Sequence, residues 1–335
     1  MRLQLAILAA WLISCAIIER SFATSPDSIR DAAVKSLTLL QKSAAEYTVH
    51  RKCFSCHHQA LPVLAFTTAK TRGFEVNEKE LQQQLQFTAD FLAKNRENYQ
   101  QGKGQGGQAD TAGYALLTLD AGGWKADATT AAVVDYLLQR DKERDHWRPV
   151  SQRPPSEASA FTTTYLALHA LKKYAPPEKQ KAVDERFDKA RKWLTAGQAK
   201  DTEDGVFRLL ALKLADADAK TIEAAAQELV KNQRPDGGWS QTGKLESDAY
   251  ATGSALFGLQ RTGALSPKED AYQRGVKFLL KAQLTDGSWH VRSRSKPFQA
   301  YFESGFPHGK DQFISSAASS WATIALTLAC EPPKK

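Results

Sequence analysis

Gln233-Arg234-Pro235-Asp236-Gly237-Gly238-Trp239 recurs fifty residues later as Gln283-Leu284-Thr285-Asp286-Gly287-Ser288-Trp289. A period of this size marks a chain built from repeated helix pairs. Before the first copy, Ile222, Ala225, Ala226, Leu229 and Val230 fall at i, i+3, i+4, i+7 and i+8, a single apolar stripe on one helix face. After each copy comes a helix that is apolar or small on nearly every face, AYATGSALFGL over 249–259 and the uncharged FISSAASSWATIALTLAC over 313–330. A striped helix followed by one greasy all round implies an outer and an inner layer. The alternation extends to both ends of the chain. Outer helices are expected near 27–49, 77–97, 126–140, 178–198, 218–233 and 267–283. Inner helices are expected near 57–72, 109–120, 158–174, 204–216, 247–261 and 313–329. Strand periodicity is nearly absent, so the fold class is all-α. Six hairpins could stack as an open solenoid, but inner helices this apolar cannot line an exposed concave face. A closed ring in two concentric layers is expected.

Arg274-Gly275-x-x-Phe278-Leu279-x-x-x-Gln283-x-x-x-Gly287-x-Trp289 resembles a complete QW motif of the squalene–hopene cyclase family, and Gln233 to Trp239 resembles its second half. The resemblance implies the α/α toroid shared by terpenoid cyclases and protein prenyltransferase β subunits, here of about six helix hairpins. It is sharp over about 218–289 and diffuse over 27–330. The Gln is expected to satisfy orphan carbonyls at the end of an outer helix, the Asp-Gly to turn the chain, and the Trp to pack over the helix end.

The chemistry implied by that family is not written into the chain. Squalene–hopene cyclases protonate substrate with a DxDD motif, and none occurs here. Asp110, opening an inner helix, reads as an ordinary N-terminal acid, and Asp201-Thr202-Glu203-Asp204 has the wrong spacing. A carboxylic acid able to protonate an alkene needs acidic neighbours and a dry pocket, and sequence shows no such neighbours. The zinc set of the prenyltransferases is also missing, since Cys330 ends the last inner helix without visible partners.

What the chain does carry is Cys53-Phe54-Ser55-Cys56-His57. Two thiols three residues apart can form thioethers with haem vinyl groups, and the following His can ligate the iron from below, so one c-type haem is expected with Cys53, Cys56 and His57 as its residues. Two other readings stay open. Cys53 and Cys56 could form a redox or structural disulfide, or Cys53, Cys56, His57 and His58 could bind zinc. The only methionine is Met1, so His/Met ligation is excluded from the processed chain. In a closed ring the loop 290–312 of the last repeat lies beside the first, which makes His308, and after it His290, the candidates for the distal side of the iron. His308 is preferred because Pro307 and Gly309 suggest a held turn. His169 reads as a core or cavity histidine, and His50 and His146 as exposed.

The compartment suits such a group. Arg2, the apolar run Leu3–Ile18 and small residues at Ser21 and Ala23 describe a signal peptide over 1–23, leaving 24–335 as the toroid domain. Sixteen residues fall short of the roughly 20 that span a bilayer. A lipoprotein signal ending at Cys15 is the alternative, and either way the mature protein is expected outside the cytoplasm, periplasmic or extracellular. Hydrophobic residues make up 42% and charged residues 24% of the chain, an ordinary globular balance. The net charge of +8 is dispersed in mixed runs, which argues against nucleic acid as a partner. The function expected is therefore an exported, squalene-cyclase-like toroid with one covalent haem in a redox or small-ligand role, serving a redox partner protein. The alternative is a terpenoid- or lipid-handling toroid with a hydrophobic molecule in its central cavity and a structural Cys53–Cys56 pair.

Overall fold

Ser25 opens the first helix by accepting the Ser28 amide on its hydroxyl at 3.1 Å, with Pro26 in the first turn, the pairing that stabilises a helix start by about 1 kcal/mol. The computed structural model describes residues 25–297 and 300–333; the 1–23 segment and Cys15 lie outside them. The outer helices are α1 (Pro26–His50), α3 (Glu78–Lys94) with the short α4 (Arg96–Gln100), α6 (Ala128–Gln139), α8 (Gln180–Ala196), α10 (Ala219–Lys231) and α12 (Asp270–Ala282). The inner helices are α2 (Leu61–Thr71), α5 (Gln108–Ala121), α7 (Ala160–Tyr174), α9 (Thr202–Leu214), α11 (Ala249–Arg261) and α13 (Gln312–Ala329). The expected alternation is present at every step. One outer segment is split, because the chain leaves helical geometry at Asn95 between α3 and α4. A two-residue ribbon, β1 (Trp239–Ser240) antiparallel to β2 (Ser247–Asp248), lies inside one connection.

The ring closes. Each inner helix packs on the next, from α2 through α5, α7, α9 and α11 to α13, and α13 packs back on α2 and on α1. Its small hydroxyl residues make that seam specific. Thr323 donates to Ser36 at 2.8 Å, and Ser316 donates to the His57 carbonyl at 2.8 Å. Among the described residues no helix is long and apolar enough to cross a membrane.

The two repeat motifs divide their labour differently from the expectation. It is the tryptophan that donates to a carbonyl at the end of the outer helix: Trp239 Nε1 to Leu229 O at 2.7 Å, and Trp289 Nε1 to Leu279 O at 2.8 Å. The glutamine reaches forward. Gln233 Nε2 donates to Ala271 O in the next outer helix at 2.7 Å, and Gln283 Nε2 to Ala32 O in α1 at 2.8 Å. The glycines allow that approach. Gly237 and Gly287 both have φ of +87°, and a Cβ there would stand 2.5 Å from Arg274 O and 2.8 Å from the Lys35 carbonyl carbon.

A third clamp is hidden from sequence inspection. Trp147 Nε1 donates to Leu137 O at 2.9 Å, and its backbone amide to Thr164 Oγ1 at 3.2 Å. The backbone amides of Trp239 and Trp289 meet Thr252 Oγ1 and Ser319 Oγ in the same way, at 2.9 and 3.0 Å. No glutamine serves this copy. Arg186 of α8 instead lies over the Trp147 ring at 3.7 Å and donates to the carbonyls of Asp141 and Arg144 at 3.0 and 3.3 Å.

Candidate functional site

The inner helices run parallel, so their first turns meet at one end of the axis and their last turns at the other. The Cys53–His57 segment enters at the first-turn end. Ser55 caps a π-helical turn, Cys56–Ala60, by accepting the His58 amide at 3.3 Å, and the Gln59 side chain accepts the Ser55 amide at 2.9 Å. Such turns place extra side chains inward and recur at functional sites. Here Cys56, His58 and Gln59 are buried, His57 is half-buried and Cys53 is exposed.

Cys53, Cys56 and Cys330 are all free thiols, so the Cys53–Cys56 disulfide considered from sequence is absent. Cys53 Sγ lies 3.5 Å from Tyr47 Oη, and Cys56 Sγ donates toward Glu157 Oε1 at 3.9 Å. Burial, with the nearby Glu157 carboxylate, pushes the Cys56 thiol well above its ordinary range. His57 Nδ1 is 2.6 Å from Ser55 Oγ and 2.7 Å from His58 Nδ1, and its ring faces Phe313 at 4.7 Å. Burial, helped by the Arg153 charge, depresses His57 to about 3, so the imidazole is neutral. His58 stacks on Tyr47 at 4.8 Å, and its Nε2 is 2.9 Å from Ser304 Oγ.

The loop of the last repeat does lie against this motif, as ring closure requires, but through Ser304 and Phe302. His290 and His308 are not the residues that meet His57. Their rings stack on each other at 4.6 Å, with His290 Nε2 2.9 Å from Asp311 Oδ2 and His308 Nε2 2.8 Å from Ser288 Oγ. The held turn expected at His308 is present, with φ at +84° ahead of the 3-10 turn Gly309–Asp311. Both side chains fasten the loop in these contacts rather than pairing with His57. The zinc reading is corrected. Among the described residues no three His, Cys, Asp or Glu side chains converge on a metal position.

Beside Cys56 lies an acidic cluster that sequence reading missed. Asp110 in the first turn of α5 accepts from Thr163 Oγ1 at 2.5 Å, while its Oδ2 is buried without a partner. Glu203 in the first turn of α9 meets Thr162 Oγ1 at 2.8 Å and Tyr250 Oη at 3.1 Å. Glu157, from the connection before α7, is ion-paired to Arg153. Burial pushes Asp110 up to about 7 and Glu203 to about 8, and raises Glu157 as well. The neighbours judged missing around Asp110 are therefore supplied by other hairpins. Tyr114 stands between this cluster and the open part of the axis, its buried hydroxyl unpartnered.

At the last-turn end a cavity of about 390 Å³ opens along the axis, walled by Tyr114, Tyr165, Phe207, Phe257 and Trp321. His169 does line it, as a cavity histidine, with Nε2 2.9 Å from Asp120 Oδ2. His146 departs from the exposed reading by stacking on Trp193 at 4.2 Å, while His50 is exposed.

A closed double ring of six helix hairpins around an axial cavity is the α/α toroid of the terpene cyclases. The comparisons agree at the level of fold. Type II terpene cyclase MstE from Scytonema superposes with a TM-score of 0.57 at 14% identity, over 91% of this chain and 99% of that one. A variant of MstE in complex with merosterolic acid A gives a TM-score of 0.58 at 14% identity, over 91% and 98% of the two chains. Residues 201–315 match the family described as squalene-hopene cyclase C-terminal domain. Lanosterol synthase of Candida albicans is 28% identical over 159 residues, 40% of this chain and 21% of that protein. A lanosterol synthase of Aspergillus fumigatus is 33% identical over 124 residues, 36% and 15% of the two lengths. The matches thus span about a fifth or less of these curated relatives.

Proposed function

We propose that this squalene-cyclase-like toroid carries one covalent c-type haem on Cys53, Cys56 and His57, and serves redox or small-ligand chemistry outside the cytoplasm with a redox partner protein. One observation carries the reading: two unbridged thiols flank Ser55 and are followed at once by a neutral imidazole. That donor set fits the group. The thiols would form the thioethers, and neutral His57 would be the iron ligand. Ser55 and His58 hold His57 Nδ1, the second contact that fixes the orientation of a ligating imidazole. When bound, the haem supplies one-electron or ligand-binding chemistry at its iron. Ser304 and Phe313 enclose the histidine pair from the last repeat, and no methionine follows Met1 to serve as a second axial ligand. Expression with a cytochrome c maturation system and haem staining of a denaturing gel tests this. The stain is expected in the parent chain and lost in Cys53→Ala and Cys56→Ala; an unstained parent chain contradicts the reading.

The aromatic cavity supports a second reading, a toroid that holds an apolar molecule on its axis, with or without turnover of that molecule. The two are compatible, because motif and cavity occupy opposite ends of the ring.

A further inference from the structure

The wall of the axial cavity is aromatic, but its rim is charged and unbalanced. Arg72, Asp120 and Arg261 stand there. Asp120 is already matched, with Oδ1 2.7 Å from Lys173 Nζ and Oδ2 2.9 Å from His169 Nε2. Arg72 donates one N–H to the Cys330 carbonyl at 3.0 Å and keeps its other donors. The Arg261 side chain makes no hydrogen bond or ion pair with any described residue. Two guanidinium groups thus face the mouth with Asp120 already neutralised by its own lysine. A cation near a helix C-terminus is worth about 0.3–1 kcal/mol through the helix dipole. That explains a positive charge in the last turn of α11. It does not require two of them to line an aromatic cavity.

We propose that the cavity binds an apolar chain with an anionic head, a carboxylate or a phosphate monoester. The tail lies against Tyr165, Phe207, Phe257 and Trp321, and Arg72 and Arg261 hold the head at the rim. Guanidinium groups suit either head, since both present paired oxygens to the N–H fork. The volume of about 390 Å³ lies near the small end of the ~300–1,000 Å³ typical of ligand sites. A single short chain fits that space better than a triterpene. This inference rests on the apolar-ligand reading above and adds the head group to it.

Titration calorimetry with decanoate, decyl phosphate and decanol, each below its micelle concentration, tests the proposal and separates the two heads. At least one anion is expected to bind about tenfold more tightly than decanol, the effect of one charge-assisted hydrogen bond. Arg261→Gln, at an exposed position, should remove that tenfold margin and leave decanol unchanged; Arg72→Gln should act in the same direction. Leu117→Trp, which fills the cavity, should abolish binding of all three. Equal binding of acid and alcohol overturns the head-group inference and leaves the apolar cavity standing. No binding by any of the three overturns both. Anion binding that survives Leu117→Trp places the anions outside the cavity and overturns the proposal.

Discussion

Gln283 Nε2 donates to the carbonyl of Ala32 at 2.8 Å, joining the last outer helix to the first across 251 positions of sequence. The same amide also serves Gly287 O at 3.1 Å. A motif that in Gln233 ties one repeat to the next is used in Gln283 to shut the ring, so the repeat is also the closure device.

Gln283→Ala is therefore expected to leave two carbonyls without that donor and to destabilise the fold by about 1–3 kcal/mol. Gln233→Ala should cost a similar amount, because it removes the equivalent pair. Urea denaturation midpoints check both. Gly287→Ala should be worse than either, since it puts a Cβ against Lys35 at a φ of +87°. A Gly287→Ala protein as stable as the parent would contradict the close approach.

Trp147 behaves as the third member of the clamp set. Trp147→Phe should destabilise by about 1–3 kcal/mol, comparable to Trp239→Phe and Trp289→Phe, because each removes the indole donor from a helix-end carbonyl. Arg186→Lys should reproduce part of the Trp147 loss, since an ammonium cannot both stack on the ring and serve two carbonyls. Thermal melts of the four variants test the equivalence; a neutral Trp147→Phe would remove Trp147 from the set.

The helix alternation was legible because each layer imposes its own apolar pattern, and the twelve main helices follow from it. The two QW-type turns were legible because Gln, Gly and Trp keep their spacing there. The third clamp was not, because Arg186 replaces the glutamine from a different hairpin. The acidic cluster was hidden for the same reason. Asp110, Glu157 and Glu203 each look ordinary beside their chain neighbours, and only the ring brings them together with Tyr114 and Tyr250. His290 and His308 were correctly placed in a loop at the motif, but sequence could not show that Asp311 and Ser288 engage them.

Stability should depend on pH through that cluster. Unfolded, Asp110 and Glu203 titrate near their ordinary values of 3.8 and 4.5; folded, burial holds their protons to about 7 and about 8. The native state therefore binds more protons across this interval, and stability falls as pH rises. The full contribution is present below about pH 4 and lost above about pH 8. Glu203→Gln should flatten the part of the profile between pH 7 and 8. Urea midpoints at pH 5, 7 and 9 decide it; a parent protein that gains stability over this range through these groups would contradict the assigned direction.

The haem assignment is tested most directly by the intact mass of the protein purified from a host that exports it and attaches haem. The account predicts the processed polypeptide plus one haem, with the added mass absent from the Cys53→Ala Cys56→Ala double variant. A colourless protein with the mass of the bare polypeptide, or of the polypeptide less two hydrogens, would contradict it.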